Sequence, residues 1–311
     1  MSKSDAIKDR ALGSMIGLVV GDALGTTIEF LPRGAYPLMT DMIGGGPFRL
    51  QPGQWTDDTS MALCLAESLL SNPDLDQIDL MERFSRWVEF GENSATGKCF
   101  DIGRTTLASI ASFKRTGQLF QGPSRATDAG NGSIMRLAPV ALRWWHNLEV
   151  ARSIAREQSR TTHAASECID SCDFLVEILC RAIRGELTDI KNINIRGDLA
   201  PAVSSLSSCN WVSKLETEIK SDGYVIHTLE AALWALQQSN SFSEAILTAV
   251  NLGHDSDTVG AVCGQLAGAI FGLSAIPGKW IDLLHDRDRI LDVSRRLIDA
   301  SFADNDIPFA Q

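Results

Sequence analysis

The chain has 311 residues, 44% of them hydrophobic, which is ample for a large core and too apolar for a disordered chain. Its net charge of -11, from 39 acidic against 28 basic side chains, argues against a broad surface for nucleic acid or anionic membrane, because such surfaces need clustered Lys and Arg. Seven scattered cysteines without a CxxC pair point to reduced thiols in a cytoplasmic protein, not to a disulfide framework or a zinc site.

The N-terminal stretch MSKSDAIKDRALGSMIGLVVGDALG pairs a charged start with an apolar run, as a signal peptide does. Asp5 and Asp9 spoil the basic start, and Asp22 ends a run already broken by glycines, so the stretch is expected to be the first helix of a mature chain. Glycines fall at every fourth residue here, at Gly13, Gly17, Gly21 and Gly25, and again at Gly260, Gly264, Gly268 and Gly272. On a helix this spacing leaves a groove without side chains, into which another backbone fits. Each interior Gly costs about 1 kcal/mol relative to Ala, so both segments are expected to be central helices whose close packing offsets that loss. The second segment, VGAVCGQLAGAIFGLSAIP from Val259, is nearly long enough to cross a bilayer. Its Gly and Ala content, Gln265 and the carboxylates before it favour a central helix of a soluble bundle, with no membrane span.

Between these ends, SMALCLAESLL (60–70), CIDSCDFLVEILCRAI (168–183) and VIHTLEAALWALQQ (225–238) carry helical periodicity, and no run alternates as a strand would. The expected class is all-α: a single compact multi-helix bundle, one domain over 1–311. The segment at about 186–222 is polar and weakly periodic, as a surface excursion would be. MTDMIGGGPFRLQPGQW (39–55), with three consecutive glycines, is either a lid or a solvated connection. Trp144 and Trp145 are expected to anchor an amphipathic helix rather than stack on a base.

The stretch QWTDDTSMAL (54–63) sets two carboxylates at the mouth of a helix, where one would suffice as a cap. NLGHDSDTVG (251–260) repeats the chemistry: Asp255, Asp257 and Thr258 mirror Thr56, Asp57 and Asp58. Four Asp brought together would repel one another unless some took up protons or a cation bound. The oxygen-only set favours a hard ion, Mg²⁺ or Mn²⁺, over zinc, and four Asp are enough to bridge two such cations. His254 next to Asp255 also allows a His-Asp phosphohydrolase, which would need further His ligands; His146, His163, His227 and His285 have no context for that. The plainer alternative, a helix cap and a spare surface Asp in each cluster, is weakened by the match between the two.

GDALGTTIEF (21–30), WTDDTSMAL (55–63), GKCFDIGRTT (97–106), GNGSIMRLAPVAL (130–142), SRTTH (159–163), GYVIHTLEAALWA (223–235) and GHDSDTVGAVCGQLAGAIFG (253–272) together resemble the ADP-ribosylglycohydrolases. In motif style they are most similar to the bacterial dinitrogenase reductase-activating members. The likeness runs in order from about Ala6 to Leu297. It implies an all-α fold with a binuclear magnesium or manganese centre, which hydrolyses the bond between ADP-ribose and a modified side chain by water attack at the anomeric carbon. The expected partner is an ADP-ribosylated protein, modified on arginine. A serine, nucleic-acid or small-metabolite linkage, or a non-catalytic ADP-ribose-binding relative, remains open.

Residue by residue, the resemblance assigns the metals to Thr56, Asp57, Asp58, Asp255, Asp257 and Thr258. It implies catalytic roles for Glu29 and Asp101, the latter beside the distal ribose. Asn131, Gly132 and Ser133 would cradle phosphate and ribose, His163 would touch the same region, and Tyr224 would stack on adenine. A monomer is the default expectation.

Overall fold

The first helix begins at a capping box in which Ser2 Oγ accepts the Asp5 N–H at 3.1 Å and the Asp5 carboxylate accepts the Ser2 N–H at 3.0 Å. The computed structural model describes residues 2–119, 124–187, 189–193, 195 and 198–305. In chain order the α-helices are α1 (Lys3–Gly25), α2 (Asp57–Ser71), α3 (Gln77–Phe90), α4 (Arg104–Thr116), α5 (Ala138–Trp144), α6 (Leu148–Arg160) and α7 (Ser166–Arg184). They continue as α8 (Pro201–Ser207), α9 (Val225–Gln237), α10 (Phe242–Val250), α11 (Ser256–Phe271), α12 (Gly278–Leu283) and α13 (Arg287–Asn305). Short 3₁₀ turns join several of them, and extended pairing among the described residues is limited to two isolated bridges, Gly45 with Leu50 and Gly130 with Tyr224. The fold is all-α, as the periodicity predicts.

The glycine spacing explains the centre. Helices α1 and α11 run antiparallel with Gly13 on Gly268, Gly17 on Gly264 and Gly21 on Gly260, so close that a Cβ on any of these would overlap the opposing carbonyl. Gly25 packs the same way on Ser256 and Asp257. Gly272 departs from the pattern: it ends α11 with φ 86° instead of extending the groove. Around this pair α2, α5, α7, α9, α10 and α13 pack their apolar faces. α1 is apolar and long enough to cross a membrane, but most of its apolar window is buried inside the protein.

Two connections differ from simple solvated loops. Residues 39–55 bury Met39, Met42, Leu50 and Trp55, and no residue of this segment lines the main cavity described below. The described part of 186–222 packs on α7 and α9 and buries Val203, Leu206 and Trp211. Trp144 and Trp145 are both buried near the end of α5; Trp144 donates to the Pro73 carbonyl at 3.0 Å, and Trp145 packs on Phe302.

Candidate active site

Both carboxylate clusters stand at helix N-termini. Asp57 and Asp58 open α2, Asp255 precedes α11, and Asp257 lies in its first turn. The α1–α11 glycine contact brings these two starts together, because α1 ends against Ser256 and Asp257 while its last turns reach α2. The link to α2 is Asp22, fully buried on α1. Its carboxylate accepts the Thr56 N–H at 2.9 Å and hydroxyl at 2.8 Å, then the Thr59 N–H at 3.0 Å and hydroxyl at 2.7 Å. Asp22 thus satisfies free amides of α2 as a local cap would, from a distant part of the chain. Sequence reading treats it as the end of an apolar run and misses this role. The available signal was a lone Asp in a helix otherwise destined for the core, where an unpaired carboxylate is not tolerated.

Glu29 serves the other cluster. Its Oε2 accepts the N–H of Ser256 at 2.8 Å, the Ser256 hydroxyl at 3.2 Å and the N–H of Asp257 at 3.3 Å. Three acidic groups result: Asp22 with Asp58 and Asp257, Glu29 with Asp255 and Asp257, and Asp57 with Asp101 and Asp257. Within each, one oxygen per residue lies within 4.8 Å of the others, and Asp257 belongs to all three. Thr56 Oγ1 adds a hydroxyl 3.1 Å from Asp257 Oδ2, and the Thr258 N–H donates to Asp257 Oδ1 at 2.8 Å.

So many buried carboxylates cannot all stay charged without compensation. Burial, followed by the charge of Asp257, pushes Asp22 and Asp255 up to about 7 and Asp101 up to about 11. Glu29 is raised for the same two reasons in the same order, and burial also lifts Asp57 and Asp58 well above the ordinary carboxylate range. Asp58 Oδ1 and Asp101 Oδ2 are buried without a hydrogen-bond partner. Oxygen ligands converging with orphaned lone pairs fit a hard divalent cation, so these groups could hold metal ions.

The acidic groups open into a cavity of about 650 Å³. Glu29, Asp57, Asp101, Asp255, Asp257 and Thr258 form its acidic wall, and Gly130, Asn131, Gly132 and His163 continue the lining. Asn131 joins the two parts: its Nδ2 donates to Asp255 Oδ2 at 2.7 Å and to Thr228 Oγ1 at 2.9 Å. Short backbone pairings fix the loops. Phe30 N–H donates to the His254 carbonyl at 2.7 Å, His254 N–H to Leu31 at 2.8 Å, and Asn131 N–H to Gly223 at 3.1 Å. Phe30, Asp101 and His254 all adopt left-handed backbone, with φ of 65°, 61° and 59°. This conformation costs a side-chain-bearing residue about 1–2 kcal/mol, and its concentration at one rim is the kind of strain that functional sites retain.

Some expected residues lie elsewhere. Ser133 is fully buried and absent from the cavity lining; its hydroxyl is engaged with Ser159 Oγ at 2.9 Å and Cys172 Sγ at 3.4 Å. Tyr224 faces an adjoining cavity of about 550 Å³ that shares Arg104, Thr105, Gly130 and Gly223 with the first. Its hydroxyl donates to Glu167 Oε2 at 2.9 Å. His254 lines the main cavity but joins none of the acidic groups, and no described histidine stands with it as a metal ligand set.

The ADP-ribosylglycohydrolase family model matches residues 3–306. The chain is 44% identical over 289 residues to the ADP-ribosylarginine hydrolase Tri1 of Serratia proteamaculans (strain 568), covering 93% of this chain and 79% of the relative. It is 32% identical over 305 residues to the ADP-ribosyl-(dinitrogen reductase) glycohydrolase of Rhodospirillum rubrum, covering 96% of this chain and 97% of the relative. A solved structure described as an ADP-ribosylglycohydrolase-related protein complex superposes with a TM-score of 0.83 at 41% identity, covering 96% of this chain and 99% of that one. By the matched length and by these identities, the chain belongs to the ADP-ribosylglycohydrolase family.

Proposed function

We propose that this chain is a divalent-metal-dependent hydrolase that removes ADP-ribose from arginine side chains of modified proteins. The observation that carries the reading is the meeting of Asp57, Asp255 and Asp257 with Glu29 and Asp101 around one cavity lined further by the Gly130–Gly132 turn and His163, with the fully buried Asp58 grouped with Asp257. The arginine linkage is supported by the 44% identical relative, itself an ADP-ribosylarginine hydrolase.

In this reading Thr56, Asp57, Asp58, Asp255, Asp257 and Thr258 hold two cations, Mg²⁺ or Mn²⁺. When bound, the cations neutralise the carboxylates and supply Lewis acidity toward oxygen ligands. The chain's own groups do the rest. The distal ribose lies on the acidic wall and the diphosphate against Gly130, Asn131 and Gly132, where small residues let an anion approach. Adenine reaches the adjoining cavity at Tyr224. As the bond from the anomeric carbon to the guanidinium nitrogen breaks, positive charge grows on the ribose, and the surrounding carboxylates favour it. Glu29 or Asp101 orients the attacking water and accepts one of its protons, while the departing nitrogen gains one, giving ADP-ribose and unmodified arginine. Unpaired cysteines fit a reducing compartment such as the cytoplasm, and one domain acting as a monomer is the simplest arrangement.

The test is release of free ADP-ribose from an arginine-modified protein and from a serine-modified peptide, each with Mg²⁺, Mn²⁺ and chelator. Metal-dependent release from the arginine substrate is expected. Binding of ADP-ribose without release from either would make the chain a reader of the modification and overturn the hydrolase.

A further inference from the structure

Arg136, three residues after the Gly130–Ser133 turn, is fully buried, and no carboxylate pairs with it among the described residues. Its Nε donates to Gln158 Oε1 at 2.8 Å, and its Nη1 to the Gly132 carbonyl at 3.1 Å. Its Nη2 donates to the Gln158 carbonyl at 3.0 Å and to Thr162 Oγ1 at 2.9 Å, and the guanidinium lies over the Phe84 ring. Burying a cation without a counter-ion is costly. A neutral residue could fill the same space, so the charge and its directed donors call for a purpose.

That purpose is visible one bond further on. Thr162 is also fully buried, and its Oγ1 already accepts from Arg136. The hydroxyl has one proton to place, and His163 Nδ1 at 2.9 Å is its one acceptor among the described residues. A proton on Nδ1 would leave the hydroxyl hydrogen buried and unpartnered. The other edge of the ring lies behind the turn: a Cβ on Gly132 would come within 2.7 Å of Cε1, and one on Gly130 within 3.3 Å of Nε2. Burial, with the charge of Arg136 added, lowers the imidazole to about 3, so the ring is neutral.

We infer that Arg136 and Thr162 are positioning residues that fix His163 as the Nε2–H tautomer, making it an obligate hydrogen-bond donor to an anionic oxygen lying on the Gly130–Gly132 turn. The inference rests on the proposed function for the identity of that anion, the diphosphate of ADP-ribose. A histidine free to change tautomer could instead present a lone pair and repel it.

The experiment is long-range ¹H–¹⁵N correlation on ligand-free protein labelled in histidine, with the His163 signals identified by their loss in His163→Gln. At pH 7 the wild type should show a bare Nδ1 and a protonated Nε2, unchanged down to pH 5. Thr162→Val should mix the tautomers and weaken ADP-ribose binding about tenfold, with Mn²⁺ affinity unchanged, while Thr162→Ser should restore both readouts. A protonated Nδ1 or an imidazolium in the wild type, or a Thr162→Val spectrum identical to wild type, would overturn the inference. Should Thr162→Val not fold, the wild-type spectrum and Thr162→Ser still decide. Because the tautomer is read without ligand, a wild type that shows it but binds no ADP-ribose would sink the proposed function and leave the tautomer assignment standing.

Discussion

Glu29 caps the helix that carries Asp257: its Oε2 accepts the Ser256 N–H at 2.8 Å from 227 residues away in sequence. The same carboxylate lines the cavity, so it has a structural and a chemical task that substitution can separate. Glu29→Gln keeps an oxygen for the Ser256 N–H but removes the charge. It is expected to fold with near wild-type stability and to lose most ADP-ribose release. Glu29→Ala loses the cap as well and should cost about 1 kcal/mol more in urea unfolding. Equal stability losses in the two variants would show that the cap contributes nothing.

Asp22 gives a second prediction, at a residue outside the six proposed metal-holding residues but grouped with two of them, Asp58 and Asp257. Each of its oxygens receives a backbone N–H and a hydroxyl, from Thr56 on one side and Thr59 on the other. Asn in its place would turn an amide donor toward one of those N–H groups. Asp22→Asn should therefore destabilise the fold by about 2 kcal/mol and let Thr56 and the start of α2 shift. Supporting groups of this kind typically change metal affinity by about 10–100-fold. Titration calorimetry with Mn²⁺ would measure the loss, and unchanged affinity would mean that Asp22 serves α2 alone.

Much of this site is legible in the sequence because its parts are local. WTDDTS and HDSDT each place their carboxylates on one helix start, and the four-residue glycine period marks the two helices that bring those starts together. What sequence could not supply is long-range pairing. The partners of Asp22 lie at Thr56 and Thr59, and nothing in GDALG names them. Ser133 illustrates the opposite limit: a GNGS turn looks uniformly exposed to ligand, yet its last hydroxyl turns inward to Ser159 and Cys172. The stretch at 186–222 lacks a helical period because its described pieces are short turns and one seven-residue helix, and such pieces can bury single residues such as Trp211 without repeating them.

The glycine contact itself is testable. A Cβ at Gly21 would overlap the Gly260 carbonyl, and neither can rotate away, since a Cβ is fixed by its own backbone and the carbonyl is backbone. Gly21→Ala improves intrinsic helix propensity by about 1 kcal/mol, so a net loss would isolate the packing. Overpacking of this kind costs about 1–3 kcal/mol, occasionally more. A lower midpoint in urea, or failure to fold, is the expected result. Stabilisation would show that the two helices separate without penalty.

The carboxylate cluster makes stability depend on pH and metal together. Asp22 and Asp255 are raised from the ordinary 3.8 to about 7 in the folded protein, by burial first and by Asp257 second. The folded state therefore holds protons that the unfolded chain releases between those values. Stability with chelator must fall as pH rises from about 4 to about 7, and keep falling less steeply above that, because Asp101, Glu29, Asp57 and Asp58 are raised as well and the folded protein still holds protons there. A bound cation replaces those protons and removes the penalty, so Mn²⁺ should stabilise the protein more at pH 8 than at pH 5. Urea midpoints at both pH values, with chelator and with Mn²⁺, measure the difference directly. Parallel behaviour with and without Mn²⁺ would mean that no cation binds the cluster, and the metal-dependent mechanism would go with it.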